Sequence, residues 1–318
     1  MRKELISARD AAGTLLLLHA LLSILMYILK FWISDDFTEF LGSGMPGFVS
    51  SALIMQGICI LLPTIFVMAH YGLSSDLIPG PSTPTGGWTI MSATVGIPAA
   101  IVFTGLNNGY IYILYKSGVR LPSAETVVPE ASVEQAGGGI AGFIVVLILS
   151  VLLPGIVEEL MFRGVIQGAA SAGGQVTAAI IIQAVVFAVF HVDILFLIAP
   201  FLAGLLLGYI RHKTGTVYAP VLAHITMNLT ILLMKPLLPA LTAEYVAEMT
   251  SNAVLYASLI AAAAASVALI PMLVAFSSVR APQTRKERQA KFFPVDHKFI
   301  IGALILTGSM LFYYFTNR

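Results

Sequence analysis

The chain has 318 residues, a net charge of +1, 58% hydrophobic and 10% charged residues, and a mean hydropathy of +0.92. Soluble domains carry about 25% charged residues, so this composition excludes a protein that covers its own surface with polar groups in water. The charge gives no argument for a nucleic-acid partner, and the single Cys59, set in an apolar run, excludes intrachain disulfides.

A membrane-crossing helix needs about 20 mostly apolar residues. Nine stretches qualify in chain order: 11–33, 46–70, 88–115, 139–171, 176–191, 194–210, 217–234, 251–276 and 298–316. The first has too long an apolar run for a cleavable signal peptide and reads as an anchor. The third contains Asn107-Asn108-Gly109, which predicts a break or an early end. The fourth is long enough to project beyond a bilayer, and the fifth and sixth are short. Connectors at 72–87 and 117–138 contain Pro, Ser and Gly and mark no domain boundary. The expectation is an all-α polytopic transmembrane helical bundle of about eight to nine spans, with 1–318 as a single membrane domain.

Positive charge sets orientation. With the N-terminus inside, eleven Lys and Arg fall on inner segments and span ends against five on outer ones, once Arg163 is set aside as lying within a span. The basic stretch Arg280 to Lys298 is the strongest vote and reads as an inner loop rather than a nucleic-acid patch. The expected protein is a multi-pass one of the cell membrane with a cytoplasmic N-terminus and an outer C-terminus.

Charged groups inside spans are costly and tend to mark function. Glu158 and Glu159 lie inside the fourth stretch, with Arg163 shortly after. Glu159 and Arg163 are four apart, share a helix face and can pair. Glu158 is rotated by roughly 100° from Glu159 and is free to face a cavity. Pro154 removes a backbone donor one turn earlier and predicts a bend. His191 and His224 also stand in apolar surroundings, and Asn228 shares the face of His224. Gly173-Gly174 is the natural turn after the fourth helix. Glu158 lies about 15 residues before it and His191 about 17 after, which puts both roughly 22–26 Å from the turn at helical rise. His224, about 10 residues past the Arg211–Gly215 turn, reaches roughly 15 Å and matches less well. His19, His70, His212 and His297 read as helix-packing or loop histidines.

A carboxylate and an imidazole around one water can remove its proton, and the product attacks a carbonyl. A second imidazole and an amide can donate to the developing oxyanion. The same groups can instead hold a metal, since two His and a carboxylate with an open position is a hydrolytic zinc arrangement. No compact H-E-x-x-H is present, so the ligands Glu158, His191 and His224 would come from three helices. The residues alone leave both routes open. A proton-coupled transporter is a rival reading, because intramembrane Glu and His serve proton relays, although no paired halves with broken helices are evident. A non-catalytic membrane scaffold or immunity protein is a second rival.

Glu158-Glu159-Leu160-Met161-Phe162-Arg163 matches E-E-x-x-x-R, Phe187 to His191 matches F-x-x-x-H, and His224 to Asn228 matches H-x-x-x-N. In this order the chain resembles the CPBP family, the CAAX prenyl endopeptidases and bacteriocin-processing-like intramembrane proteases, over a core of about 140–235. The resemblance implies peptide-bond hydrolysis in the membrane. It implies that Glu158 and His191 activate water, that His224 and Asn228 hold the oxyanion, and that Glu159 and Arg163 support the site. The family has been described both as metalloproteases and as metal-independent glutamate proteases, so zinc stays a candidate cofactor. The implied partners are a peptide or protein substrate, lipidated or membrane-embedded, and the bilayer. One departure is that Val192-Asp193 leads straight from His191 into the next apolar run, which predicts a compact cavity.

Overall fold

The computed structural model describes residues 2–32, 44–73, 86–119, 133, 136–171, 175–237, 251–278 and 295–316. The Gly173-Gly174 turn, most of the two connectors and the basic stretch from 280 to 294 lie outside the described residues. Among the described residues the regular elements are nine successive helices: α1 (Arg2–Trp32), α2 (Gly44–Tyr71), α3 (Gly86–Lys116), α4 (Gly139–Ser171), α5 (Val176–Phe190), α6 (Ile198–Thr214), α7 (Tyr218–Leu237), α8 (Asn252–Ser278) and α9 (His297–Thr316). Six are long and apolar enough to cross a membrane, and α5 and the start of α7 are shorter apolar helices. The protein is an all-α polytopic helical bundle, integral to a membrane.

Two helices change register ahead of a proline. In α2, Leu53–Leu61 is π-helical and Pro63 follows; in α4, Leu147–Leu152 is π-helical and Pro154 follows. Proline has no N–H to give to the carbonyl one turn back. The residue before each proline bonds five residues back instead, Leu62 N–H to Gly57 O and Leu153 N–H to Ile148 O. A second π stretch, Leu160–Ile166, follows the two glutamates of α4 and closes with Gln167 N–H on Phe162 O. Such bulges concentrate at functional sites.

The chain clusters into two compact units. The first is drawn from 1–78, 130–179 and 284–306 and contains α1, α2, α4 and the start of α9. At one end of it Tyr71 donates to Asp10 at 2.6 Å and Lys298 Nζ reaches the other Asp10 oxygen at 2.7 Å. The start of α1, the end of α2 and the start of α9 therefore meet. Helix α1 begins nine residues before the expected span because Arg2–Asp10, though polar, contains no helix breaker, and Asp10 finds these partners. His19 bonds the Cys59 carbonyl at 2.8 Å, a helix–helix tie as expected.

The second unit is drawn from 79–129, 180–283 and 307–318, and α3 is its axis. Gly96 and Gly105 let neighbours approach α3 closely. A Cβ at 96 would come within 2.4 Å of the Ala223 carbonyl on α7, and one at 105 within 2.6 Å of the Ser258 carbonyl on α8. Small residues serve such contacts in membrane bundles. The expected break at Asn107-Asn108-Gly109 does not occur, because α3 runs through it. Both amides are buried and bonded: Asn107 donates to Leu195 O at 3.0 Å and accepts from Ala199 N–H at 3.2 Å, while Asn108 donates to Ser258 Oγ at 2.9 Å.

Candidate active site

Helix α4 carries Glu158 and Glu159 at the end of its α-helical stretch Leu153–Glu159, between the two π stretches. Both side chains are buried, at 5% and 0% exposure. Glu159 Oε1 accepts from Arg163 Nη1, and this ion pair has no exposed surface at all. Glu158 does not share it. Its Oε1 accepts a hydrogen bond of 3.1 Å from Gln56 Nε2, on the π-helical stretch of α2. Two carboxylates adjacent in sequence thus have different partners, a cation on their own helix for one and a neutral amide on another helix for the other.

The remaining candidates belong to the second unit. His191 was expected within a span; it is the first residue after α5, and its side chain is exposed. The helix closes with His191 N–H on Ala188 O and Val192 N–H on Val189 O. His191 Nδ1 lies 2.7 Å from Phe187 O. A carbonyl only accepts, so Nδ1 carries the proton. In the neutral imidazole the lone pair is then on Nε2. Val192 follows with φ 55°, the left-handed region that a β-branched residue avoids.

Phe187, buried one turn before His191, touches both histidines with its ring. The centroid distance is 4.9 Å to His191, with planes at 77°, and 5.9 Å to His224, with planes at 81°. His224 is buried on α7, and Asn228 is half-buried one turn further along the same helix. The structure therefore brings His191 and His224 together around Phe187, and Glu158, Glu159, Arg163 and Gln56 together in the other unit.

The connection after His191 is longer than expected. It runs to Leu197 before α6 starts at Ile198, so the apolar residues 194–197 are loop and not helix. One local and one long-range hydrogen bond hold this loop. Asp193 Oδ1 accepts from Leu195 N–H at 2.8 Å, and Tyr110 on α3 donates to the Ile194 carbonyl at 3.0 Å. Burial pushes the Asp193 carboxyl above the usual aspartate range, against the opposing pull of the Leu195 and Phe196 N–H groups.

Gln56 was missed in the sequence. Its signal was a lone amide in an apolar stretch. Among the described residues no three His, Cys, Asp or Glu side chains are gathered to hold one metal ion. Glu158 on the first unit and His191 and His224 on the second carry the donor chemistry that a hydrolytic zinc takes.

Residues 140–230 match the family model described as type II CAAX prenyl endopeptidase, Rce1-like. The matched segment takes in all three motifs. That stretch is less than a third of the chain, and within it the chain is similar to the CAAX-type membrane proteases. Among curated proteins, the chain is 23% identical over 149 residues to a Bacillus subtilis (strain 168) protein named "Putative membrane peptidase YdiL". The match covers 47% of the chain and 57% of that relative's length. No solved structure matches the chain.

Proposed function

We propose that the protein is an intramembrane endopeptidase in which Glu158 and His191 activate the attacking water. The water's O–H bond breaks as Glu158 takes the proton. Its oxygen bonds to the scissile carbonyl carbon, and the C–N bond then breaks as the proton passes to the leaving amine. His224 and Asn228 donate to the oxyanion, and the Glu159–Arg163 pair supports the helix that carries the base. The observation that carries this reading is the buried Glu158 carboxylate, engaged by a neutral amide while its neighbour is engaged by arginine. A carboxylate held by a cation is a poor base, whereas one oriented by an amide keeps its basic oxygen for water.

The matching family's description supports a lipid-bearing peptide as the first substrate to test, and the bilayer as its source. We also propose a cytoplasmic N-terminus in the cell membrane. The charge bias supports this side, and the meeting of the starts of α1 and α9 with the end of α2 supports alternating spans without choosing the side.

The test is a quenched peptide with a lipidated C-terminal tail, incubated with purified protein in 18O-enriched water. Hydrolysis places one 18O in the new carboxyl group of the product, read by mass. A peptide left intact under conditions where the protein stays folded counts against the peptidase.

A further inference from the structure

Gln56 lies outside residues 140–230, the segment that carries the family match. It is the polar residue in the apolar stretch Leu53–Leu61, where an amide is unfavourable unless it is bonded. Its Nε2 donates to Glu158 Oε1 at 3.1 Å across 102 positions of sequence. Its own Oε1 is buried and has no protein partner among the described residues. Packing does not account for a glutamine here, because Leu or Met fills the same volume without a polar atom to bury.

We propose that Gln56 is the positioning residue of Glu158, orienting the carboxylate so that Oε1 is held and Oε2 takes the proton from water. The proposal rests on the peptidase reading above. Three features of the bond suit this role. The donor is neutral, so it orients the carboxylate without capturing it as Arg163 captures Glu159. It engages one oxygen and leaves the other. It comes from the π-helical turn ahead of Pro63, a stretch whose register is set by its own proline and not by α4.

The experiment compares wild type with Gln56→Met, which keeps volume and loses the amide, and Gln56→Asn, which keeps the amide and shortens its reach. Cleavage of the lipidated quenched peptide gives kcat and KM, and thermal unfolding in detergent gives Tm. Both variants are expected to keep the wild-type KM and Tm and to lose about 10- to 100-fold in kcat, the scale of a lost hydrogen bond to a charged group. Gln56→Asn guards against a fold that rejects a purely apolar replacement. A wild-type kcat in both variants overturns the proposal and leaves the peptidase reading standing. A fall in kcat that follows a fall in Tm makes Gln56 a packing residue and overturns it equally. A wild type that does not cleave overturns the peptidase reading, and this inference with it.

Discussion

Phe187 meets the imidazole of His224 edge-on, with ring centroids 5.9 Å apart and planes at 81°. The same ring lies 4.9 Å from His191, whose Nδ1–H it also receives through its backbone carbonyl. One phenylalanine therefore locates two imidazoles, one on α7 and one just past the end of α5. Edge contacts of this kind are worth about 0.5–1.5 kcal/mol beyond their buried area.

Phe187→Leu keeps an apolar side chain and the backbone carbonyl but removes the ring. The expected outcome is a roughly 2- to 10-fold fall in kcat with little change in melting temperature. Phe187→Ala adds a cavity and should destabilise by about 3–5 kcal/mol. Steady-state cleavage and thermal unfolding check the two. An unchanged kcat in Phe187→Leu would remove the ring from the account of the site.

The Glu159–Arg163 pair makes a different prediction. Both side chains are fully buried, so removing one leaves the other charged and without its partner. Glu159→Gln and Arg163→Leu should each destabilise by about 3–5 kcal/mol, whereas a double apolar replacement recovers much of the loss. Thermal unfolding in detergent reads this. A Glu159→Gln variant that melts normally yet does not cleave would move Glu159 from support into the chemistry.

Asp193 gives a pH dependence. Its carboxyl is raised by burial in the loop that follows His191. A carboxyl that binds its proton more tightly when folded favours the fold most below its unfolded value, and this contribution is lost as pH rises through the raised value. Asp193→Asn keeps the acceptor for Leu195 N–H and removes the charge. It should raise Tm relative to wild type at neutral pH, with the difference vanishing below the ordinary aspartate range. A difference that grows towards acid would reverse the sign and contradict the burial argument.

Orientation is tested by reporter fusions. A fusion after Arg318 should report the outer side and one ahead of Arg2 the inner side. An inner readout at both ends would mean an even number of crossings and would contradict α9 as a span, because its start meets the start of α1.

Most of the helical framework was legible, because apolar runs of span length have few alternatives in such a composition. The fourth stretch, 139–171, coincides with α4. The failures come chiefly from partners far apart in sequence, with one local turn bond. Asn107 and Asn108 read as a break, yet their amides bond Leu195 and Ser258 and the helix continues. Residues 194–197 read as the start of a span, yet Asp193 and Tyr110 hold them as loop. At the site, the acidic pair and its arginine were visible through four-residue spacing, since their bond lies within one helix. Gln56 was not, because a single glutamine in an apolar stretch does not say which helix it faces.

Glu158 is the residue on which the proposed chemistry depends most directly. Glu158→Gln keeps the size and polarity of the side chain and can still bond Gln56, but it cannot accept a proton from water. Asn228→Ala, which removes the proposed oxyanion donor, should lose about 100- to 1000-fold in turnover and so provides a graded companion. The deciding measurement is the cleavage rate of a lipidated quenched peptide by purified Glu158→Gln, with its melting temperature recorded beside it. The expected result is a wild-type melting temperature with cleavage abolished. A Glu158→Gln protein that cleaves at a rate comparable to wild type would contradict the proposed chemistry.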